Sequence, residues 1–112
     1  MKVAIPTADG CLTMHFGHCR EFTIAEVDSA AGAITRVETL PPPPHEPGVL
    51  PRWLHEQGVE LVIAGGMGRR AQSLFAQNGI TVHVGAQSAP AEDVLAAYLA
   101  GDLSMGANPC DH

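Results

Sequence analysis

The sequence has few cysteines and few basic residues, and both shortages exclude classes of protein. Its 112 residues include 3 cysteines and no CxxC pair, which argues against a disulfide framework and against a zinc finger. Six basic residues stand against 12 acidic ones, so the formal net charge is −6. Such a chain would be repelled by a phosphate backbone. We therefore expect free thiols, some of them metal ligands, and no nucleic-acid partner.

Long apolar runs are also missing. None approaches the roughly 20 residues of a membrane span, and the start MKVAIPTADG is not that of a signal peptide. We therefore expect a cytoplasmic protein with no membrane partner. An apolar fraction of 46% is typical of a globular domain, which we place at residues 1–101. Residues 102–112 have few apolar side chains and are expected to form a flexible tail.

The apolar pattern predicts an α/β protein. Alternating or continuous apolar segments predict five strands, at residues 2–6, 21–28, 33–40, 60–64 and 80–84. Amphipathic segments followed by glycine or asparagine predict three helices, at residues 49–58, 69–78 and 90–99. The second and third strands should form an antiparallel hairpin, and βαβ units should follow it. The result is a mixed five-stranded sheet with helices packed on its faces.

Residues 14–19, MHFGHC, concentrate groups that bind soft or borderline metals. Two imidazoles and a thiol, from His15, His18 and Cys19, fall within five positions, and such ligands suit zinc, copper and iron. Gly17 would allow a tight bend. A structural interpretation stays open, in which Phe16 anchors the loop, the cysteine is a small buried hydrophobe and the histidines are solvated.

A second motif, Gly65-Gly66-Met67-Gly68, lies between a predicted strand and a predicted helix. Glycines that precede a helix can present backbone N–H groups to an anion. Arg69 and Arg70 follow, and with Arg20 they place three of the six basic residues beside the two motifs. The pattern favours an anion held between the two loops. The alternative is a sharp turn with solvated arginines.

Residues 66–71, GMGRRA, also fit the dinucleotide pattern GxGxxA. No acidic residue follows the next predicted strand to hold a ribose. The sequence also has no GxxxxGK[ST] phosphate loop and no GxSxG nucleophile elbow. A nucleotide- or anion-binding enzyme or regulatory module, using residues 65–70, therefore remains the alternative hypothesis.

Four segments together resemble one family: MKVAIPT, HFGHCREFTIAEVD, LVIAGGMGRRAQSLFAQNGI and the final CDH. They are similar to the dinitrogenase iron-molybdenum cofactor biosynthesis family of small proteins, over Met1 to Leu99. The resemblance implies a ribonuclease H-like three-layer α/β/α fold. It also implies non-enzymatic carriage or storage of a metal–sulfur cluster or its precursor, of the iron-molybdenum cofactor, iron–sulfur or molybdenum–copper sulfide type. We also expect a partner protein that donates or accepts the metallocluster. The chain itself is expected to be a monomer or a weak homodimer.

The resemblance implies His15, the histidine of HFG, as a cluster ligand, and it matches the glycine loop. The roles of His18 and Cys19 rest on ligand chemistry alone. The predicted cofactor-binding residues are His15, Phe16, Gly17, Gly65, Gly66, Met67, Gly68, Arg69 and Arg70. The predicted metal ligands are His15, His18 and Cys19, with no catalytic residue. We expect structural or solvated roles for the remaining histidines, His45, His55 and His83, and no part in the site for Cys110 and His112.

Overall fold

The computed structural model describes residues 1–13, 20–28, 30–43 and 48–101. The strands within these ranges are β1 (Lys2–Ala8), β2 (Cys11–Leu12), β3 (Glu21–Asp28), β4 (Ala33–Leu40), β5 (Val59–Ile63) and β6 (Thr81–His83). The helices are α1 (Val49–Glu56), α2 (Arg69–Gln77) and α3 (Ala91–Ala100). No helix among the described residues is long and apolar enough to cross a membrane. The predicted tail at residues 102–112 lies outside the described residues.

The five predicted strands form one sheet in the order β4-β3-β1-β5-β6. Strand β3 pairs antiparallel with both β1 and β4, whereas β5 pairs parallel with both β1 and β6. The predicted mixed sheet and antiparallel hairpin are therefore confirmed. A sixth strand, β2, pairs antiparallel with the end of β1. This strand is not among the predicted ones, because a segment of two residues carries no alternation to detect.

Strand β1 does not end at Pro6 as predicted, but continues to Ala8. Its parallel register with β5 reaches only to Ala4. The Pro6 carbonyl oxygen accepts a hydrogen bond of 3.0 Å from Thr13 N–H. The side of the strand on which Pro6 lacks an N–H is therefore the side that faces Thr13. The proline therefore removes no bond from the parallel ladder, which is why the strand tolerates it.

Two hydrophobic clusters separate the domain into three layers. One combines Ala4 and Phe22 of the sheet with residues of α1 and α2, and the other combines Val3 and Ile5 with residues of α3. Adjacent strand residues point to opposite faces, so β1 and β3 supply both clusters. The Trp53 ring of α1 packs edge-on against Phe22, with 5.8 Å between ring centroids. The predicted α/β/α layering is confirmed.

All three helices begin at the same edge of the sheet. We call it the carboxyl edge, because β1, β5 and β6 end there. Helix α2 begins after the loop that follows β5, and α3 begins at Ala91, whose N–H donates to the carbonyl oxygen of Gly10 just beyond β1. Helix α1 ends at the opposite edge, where Lys2 Nζ at the start of β1 donates to the Gln57 carbonyl oxygen. Three partial positive charges of helix N-termini therefore face the carboxyl edge.

The helix and strand bounds differ from the predictions by one or two residues, as is usual for frayed ends. Pro90 is the residue before α3 rather than its first residue. Gly58 and Gly101 follow their helices with φ of 85° and 77°, so the predicted glycine stops are confirmed.

Candidate functional site

The six residues of the His/Cys motif, 14–19, lie outside the described residues. Predicted ligands His15, His18 and Cys19, with Phe16 and Gly17, therefore remain predictions. The residues that flank the motif are described, and both are held by the end of β1. Thr13 N–H donates to Pro6 O, and Arg20 N–H donates to Thr7 O, each over 3.0 Å. The chain thus enters and leaves the motif at the carboxyl edge.

The glycine motif reaches the same edge from the neighbouring strand. Strand β5 lies beside β1 in parallel register, and Gly65 comes two residues after it ends. Gly85 N–H, beyond the end of β6, donates to Gly65 O over 2.7 Å, and Ala86 N–H donates to Ala64 O over 3.2 Å. The parallel strands therefore bring the glycine motif to the edge that holds Thr13 and Arg20, the residues that flank the His/Cys motif.

Most of the glycine motif is buried. Gly65 and Gly66 are buried, and Met67 is 0% exposed within the cluster beneath α1 and α2. Gln72 Nε2 of α2 donates to Met67 O over 2.8 Å. The predicted open cradle of successive N–H groups is limited by the burial of Gly65, Gly66 and Met67, whereas the bonds from the segment after β6 occupy only the carbonyl oxygens of Ala64 and Gly65. Met67 holds the loop against the core.

Gly68 is the exposed glycine of the motif. It is the residue before α2, with φ of −63° and ψ of 155°, a conformation that any residue can adopt. A Cβ built at this position would meet no atom of the described residues within 4 Å. Neither backbone strain nor crowding by these residues therefore requires glycine here. Open space at a helix N-terminus leaves room for a ligand.

Positive charge collects at this opening. Arg69 and Arg70, in the first turn of α2, and Arg20, beside the His/Cys motif, are all exposed, and the first turn of α2 has no acidic residue. Four described acidic residues lie near the same edge. Glu92 and Asp93 are exposed in the first turn of α3, Asp9 is exposed, and Glu21 Oε1 accepts a hydrogen bond of 3.1 Å from Gly10 N–H. The positive charge is therefore concentrated at the start of α2, where Arg69 and Arg70 stand in a first turn that has no acidic residue.

The described ranges contain no group of three or more His, Cys, Asp or Glu side chains that could hold a metal ion. His55 is exposed, and His83 is half-buried with its ring 6.0 Å from that of Tyr98. Both positions agree with the structural or solvated roles expected for them. His45, Cys110 and His112 lie outside the described residues. Cys11 is a free, half-buried thiol on β2.

Sequence reasoning missed a buried hydroxyl pair beside the motif. Thr7 Oγ1 and Thr23 Oγ1 are 3.1 Å apart, and the two residues are 0% and 5% exposed. Thr7 Oγ1 also lies 3.4 Å from Glu21 O. The pair joins β1 to β3 where Arg20 is anchored. The sequence signal was two threonines among apolar strand residues, but pairing them required the register of the two strands.

The fold and the placement of the loops define a three-layer α/β/α domain with its candidate binding loops at the carboxyl edge of parallel strands. A model of the family described as dinitrogenase iron-molybdenum cofactor matches residues 1–101, and the chain belongs to this family. It is similar to an uncharacterized protein of Methanocaldococcus jannaschii, with 31% identity over 108 residues that cover 92% of this chain and 89% of the relative.

Solved structures share the fold. The crystal structure of PH0822 aligns with a TM-score of 0.85 and 32% identity, covering 94% of each chain. The apo form of the orange protein from Desulfovibrio gigas aligns with a TM-score of 0.70 and 23% identity, covering 96% of this chain and 94% of that one. The recognised family and the fold predicted from the sequence are both confirmed.

Proposed function

We propose that this protein binds and carries a metal–sulfur cluster, or a precursor of one, at the carboxyl edge of its sheet, with no reaction of its own. The cargo would be of the iron-molybdenum cofactor, iron–sulfur or molybdenum–copper sulfide type. One observation carries the proposal: backbone hydrogen bonds hold Thr13 and Arg20, which flank the His/Cys motif, at the end of β1, and the glycine loop follows the neighbouring parallel strand at the same edge. Soft ligands and the positively charged start of α2 would then serve one site.

The ligand count supports cargo rather than a cluster assembled from the protein's own thiolates. An ordinary iron–sulfur site takes four cysteines, whereas this chain has 3. A preassembled cluster brings its own sulfides and needs only one or two protein ligands. His15 would be the first, with His18 or Cys19 as the second, because imidazole and thiolate suit iron, copper and molybdenum sulfides. Phe16 and Gly17 would line the loop.

The charges at the edge suit an anionic cargo. Arg69 and Arg70 stand where a cation opposes the helix dipole, and Arg20 adds a third guanidinium at the other loop. A bound anionic metal–sulfur cluster would offset the unfavourable interaction of these arginines with the helix dipole. Gly68 provides open space beside it, and the buried Gly65, Gly66 and Met67 would hold the loop in shape. A donor or acceptor protein for the cluster is part of the proposal, as is a reducing cytoplasm in which the thiols stay free.

Anaerobic reconstitution tests the proposal. The full chain would be incubated with ferrous iron and sulfide, or with tetrathiomolybdate with and without copper, and then freed of small molecules. Visible absorption and metal and sulfide analysis would give the cargo per chain. We expect a coloured complex near one cluster per chain with at least one of these probes. A colourless, metal-free protein in every case would overturn the proposal.

The same experiment separates the alternative of nucleotide binding. Residues 66–71 do lie between β5 and α2, as a dinucleotide loop would. Thermal unfolding with and without NAD, ATP and GTP would be measured on the same sample. A colourless chain that a nucleotide stabilises would favour an enzyme or regulatory module at residues 65–70.

A further inference from the structure

The outer edge of β4 offers a self-complementary surface. Of the described strands, β3 alone pairs with β4, so one side of an eight-residue strand is unpaired in that part of the chain. Natural proteins usually protect such an edge with charges, prolines or bulges. Here a bulge at Thr35 interrupts the pairing, but Val37 beyond it is 42% exposed.

The direction of the backbone groups can be derived from β3. Val27 exchanges two hydrogen bonds with Met1, at 2.8 and 3.1 Å, so its N–H and C=O point toward β1. Residues two apart in a strand point the same way, so Ala25 also faces β1. Ala25 is the register partner of Val37, and the pair therefore exchanges no hydrogen bond. The N–H and C=O of Val37 point outward, away from the sheet.

We propose that a second copy of this chain pairs with the outer edge of β4 in antiparallel register, with the twofold axis at Val37. The two copies of Val37 would exchange two N–H···O bonds. Thr39 of each copy would lie opposite Thr35 of the other. The two sheets would then form one continuous sheet across the dimer. This inference is independent of the proposed function.

The charges of β4 determine this register. Arg36 and Glu38 flank Val37 and form an ion pair of 3.6 Å within the strand. A twofold axis at Val37 places Arg36 of each copy opposite Glu38 of the other. Opposite charges at facing positions stabilise an antiparallel pair, and like charges destabilise it. An edge protected against its own copy would carry like charges here, whereas this edge carries one of each sign.

The interface would be small, because it consists of one strand from each copy, and small interfaces belong to weak, reversible complexes. Antiparallel pairing would leave the carboxyl edges of the two copies at opposite ends of the joint sheet. Each candidate site would then stay open. Dimer formation and cargo binding are therefore separable in an experiment.

Charge exchange tests the register. The mass of the full chain would be measured by sedimentation equilibrium up to about 1 mM, the Kd range of weak complexes. We expect reversible dimerisation of the natural chain. Arg36→Glu and Glu38→Arg should each raise the dimer Kd about tenfold or more, because each places like charges opposite one another. The double variant Arg36→Glu/Glu38→Arg should restore it.

Arg52→Glu and Glu56→Arg, on the exposed face of α1, are controls with the same changes in net charge. They should leave the dimer Kd unchanged, and circular dichroism would confirm that every variant is folded. A natural chain that is monomeric throughout would overturn the proposal. So would a dimer whose Kd is unaffected by the single exchanges, or a double variant that fails to recover while remaining folded.

Cross-linking tests the position of the axis. Hydrogen-bonded antiparallel pairs have Cα atoms about 5.5 Å apart, so the shortest bis-methanethiosulfonate reagent can join two cysteines at the axis. Val37→Cys should therefore give a covalent dimer linked at position 37. Thr39→Cys, two residues away, is the control and should not cross-link to itself. Equal cross-linking at both positions, or none at position 37 in the dimer, would contradict the axis at Val37.

Discussion

Arg20 and Thr7 are joined by a backbone hydrogen bond of 3.0 Å, from the N–H of Arg20 to the carbonyl oxygen of Thr7. Arg20 directly follows the His/Cys motif. Thr7 is the last residue of β1 that pairs with β3. The bond attaches the residue that follows the motif to the central strand of the sheet.

The hydroxyl pair beneath this bond should matter for stability. Thr7→Val leaves the Thr23 hydroxyl buried without its partner, which should reduce the free energy of unfolding by about 1–3 kcal/mol. Thr7→Val/Thr23→Val removes both hydroxyls and should cost less than the sum of the single variants. Urea unfolding of the natural chain, Thr7→Val, Thr23→Val and the double variant gives the interaction energy between the two hydroxyls. Additive effects would show that the two hydroxyls do not interact.

Arg70 should lower the stability of the cargo-free protein and favour cargo binding. Arg70→Gln removes a cation from the first turn of α2, so the cargo-free protein should gain about 0.3–1 kcal/mol in its free energy of unfolding, while loading with anionic sulfide falls. Arg36→Gln removes the same charge from β4 and is the control for loading. Chemical unfolding and metal content measure the two effects. If Arg70→Gln loads as well as the control, Arg70 is a surface residue without a role in the site.

Substitution of Gly68 should lower cargo binding without changing the fold. Gly68→Val places a branched side chain in the open space before α2, so it should leave the circular dichroism spectrum unchanged and lower cargo loading. Ala76→Val introduces the same side chain at an exposed position of α2 and should load normally. Normal loading of Gly68→Val would mean that the cargo does not approach this helix end.

Cys19 should be protected by the cargo. Alkylation of the apo and reconstituted protein, followed by mass spectrometry, gives the labelling of each thiol. We expect Cys19 to react readily in the apo protein, because Arg20 is its neighbour and positive charge favours the reactive thiolate. Cys110 should be labelled equally in both states. Equal labelling of Cys19 would remove it from the predicted ligands.

Local patterns predicted the elements well and the contacts between distant residues poorly. The alternation of β3 and the glycines after the helices are properties of neighbouring residues, and they predicted the fold. Strand β2 and the continuation of β1 through Pro6 depend on which strands pair, which the sequence does not encode locally. The burial of Gly65 and Gly66 depends likewise on the segment after β6.

The candidate site was predicted as two motifs, and the parallel pairing of β1 with β5 brings the glycine motif to the same edge as the residues that flank the His/Cys motif. The sequence proposed the site residues through the chemistry of their side chains. It could not identify the attachments of Thr13 and Arg20, because backbone hydrogen bonds carry no residue-type signal. The exposure of Gly68 and the burial of Met67 likewise required the packing of α2.

Metal content of the His15→Ala variant tests the central claim most directly. The natural chain, His15→Ala and the control His83→Ala would be reconstituted anaerobically in parallel, and metal per chain would be measured together with circular dichroism. We predict that all three proteins fold, that the natural chain and His83→Ala retain equal cargo, and that His15→Ala loses most of it. Equal metal content in His15→Ala and the natural chain would contradict a cluster site at the carboxyl edge that uses this histidine.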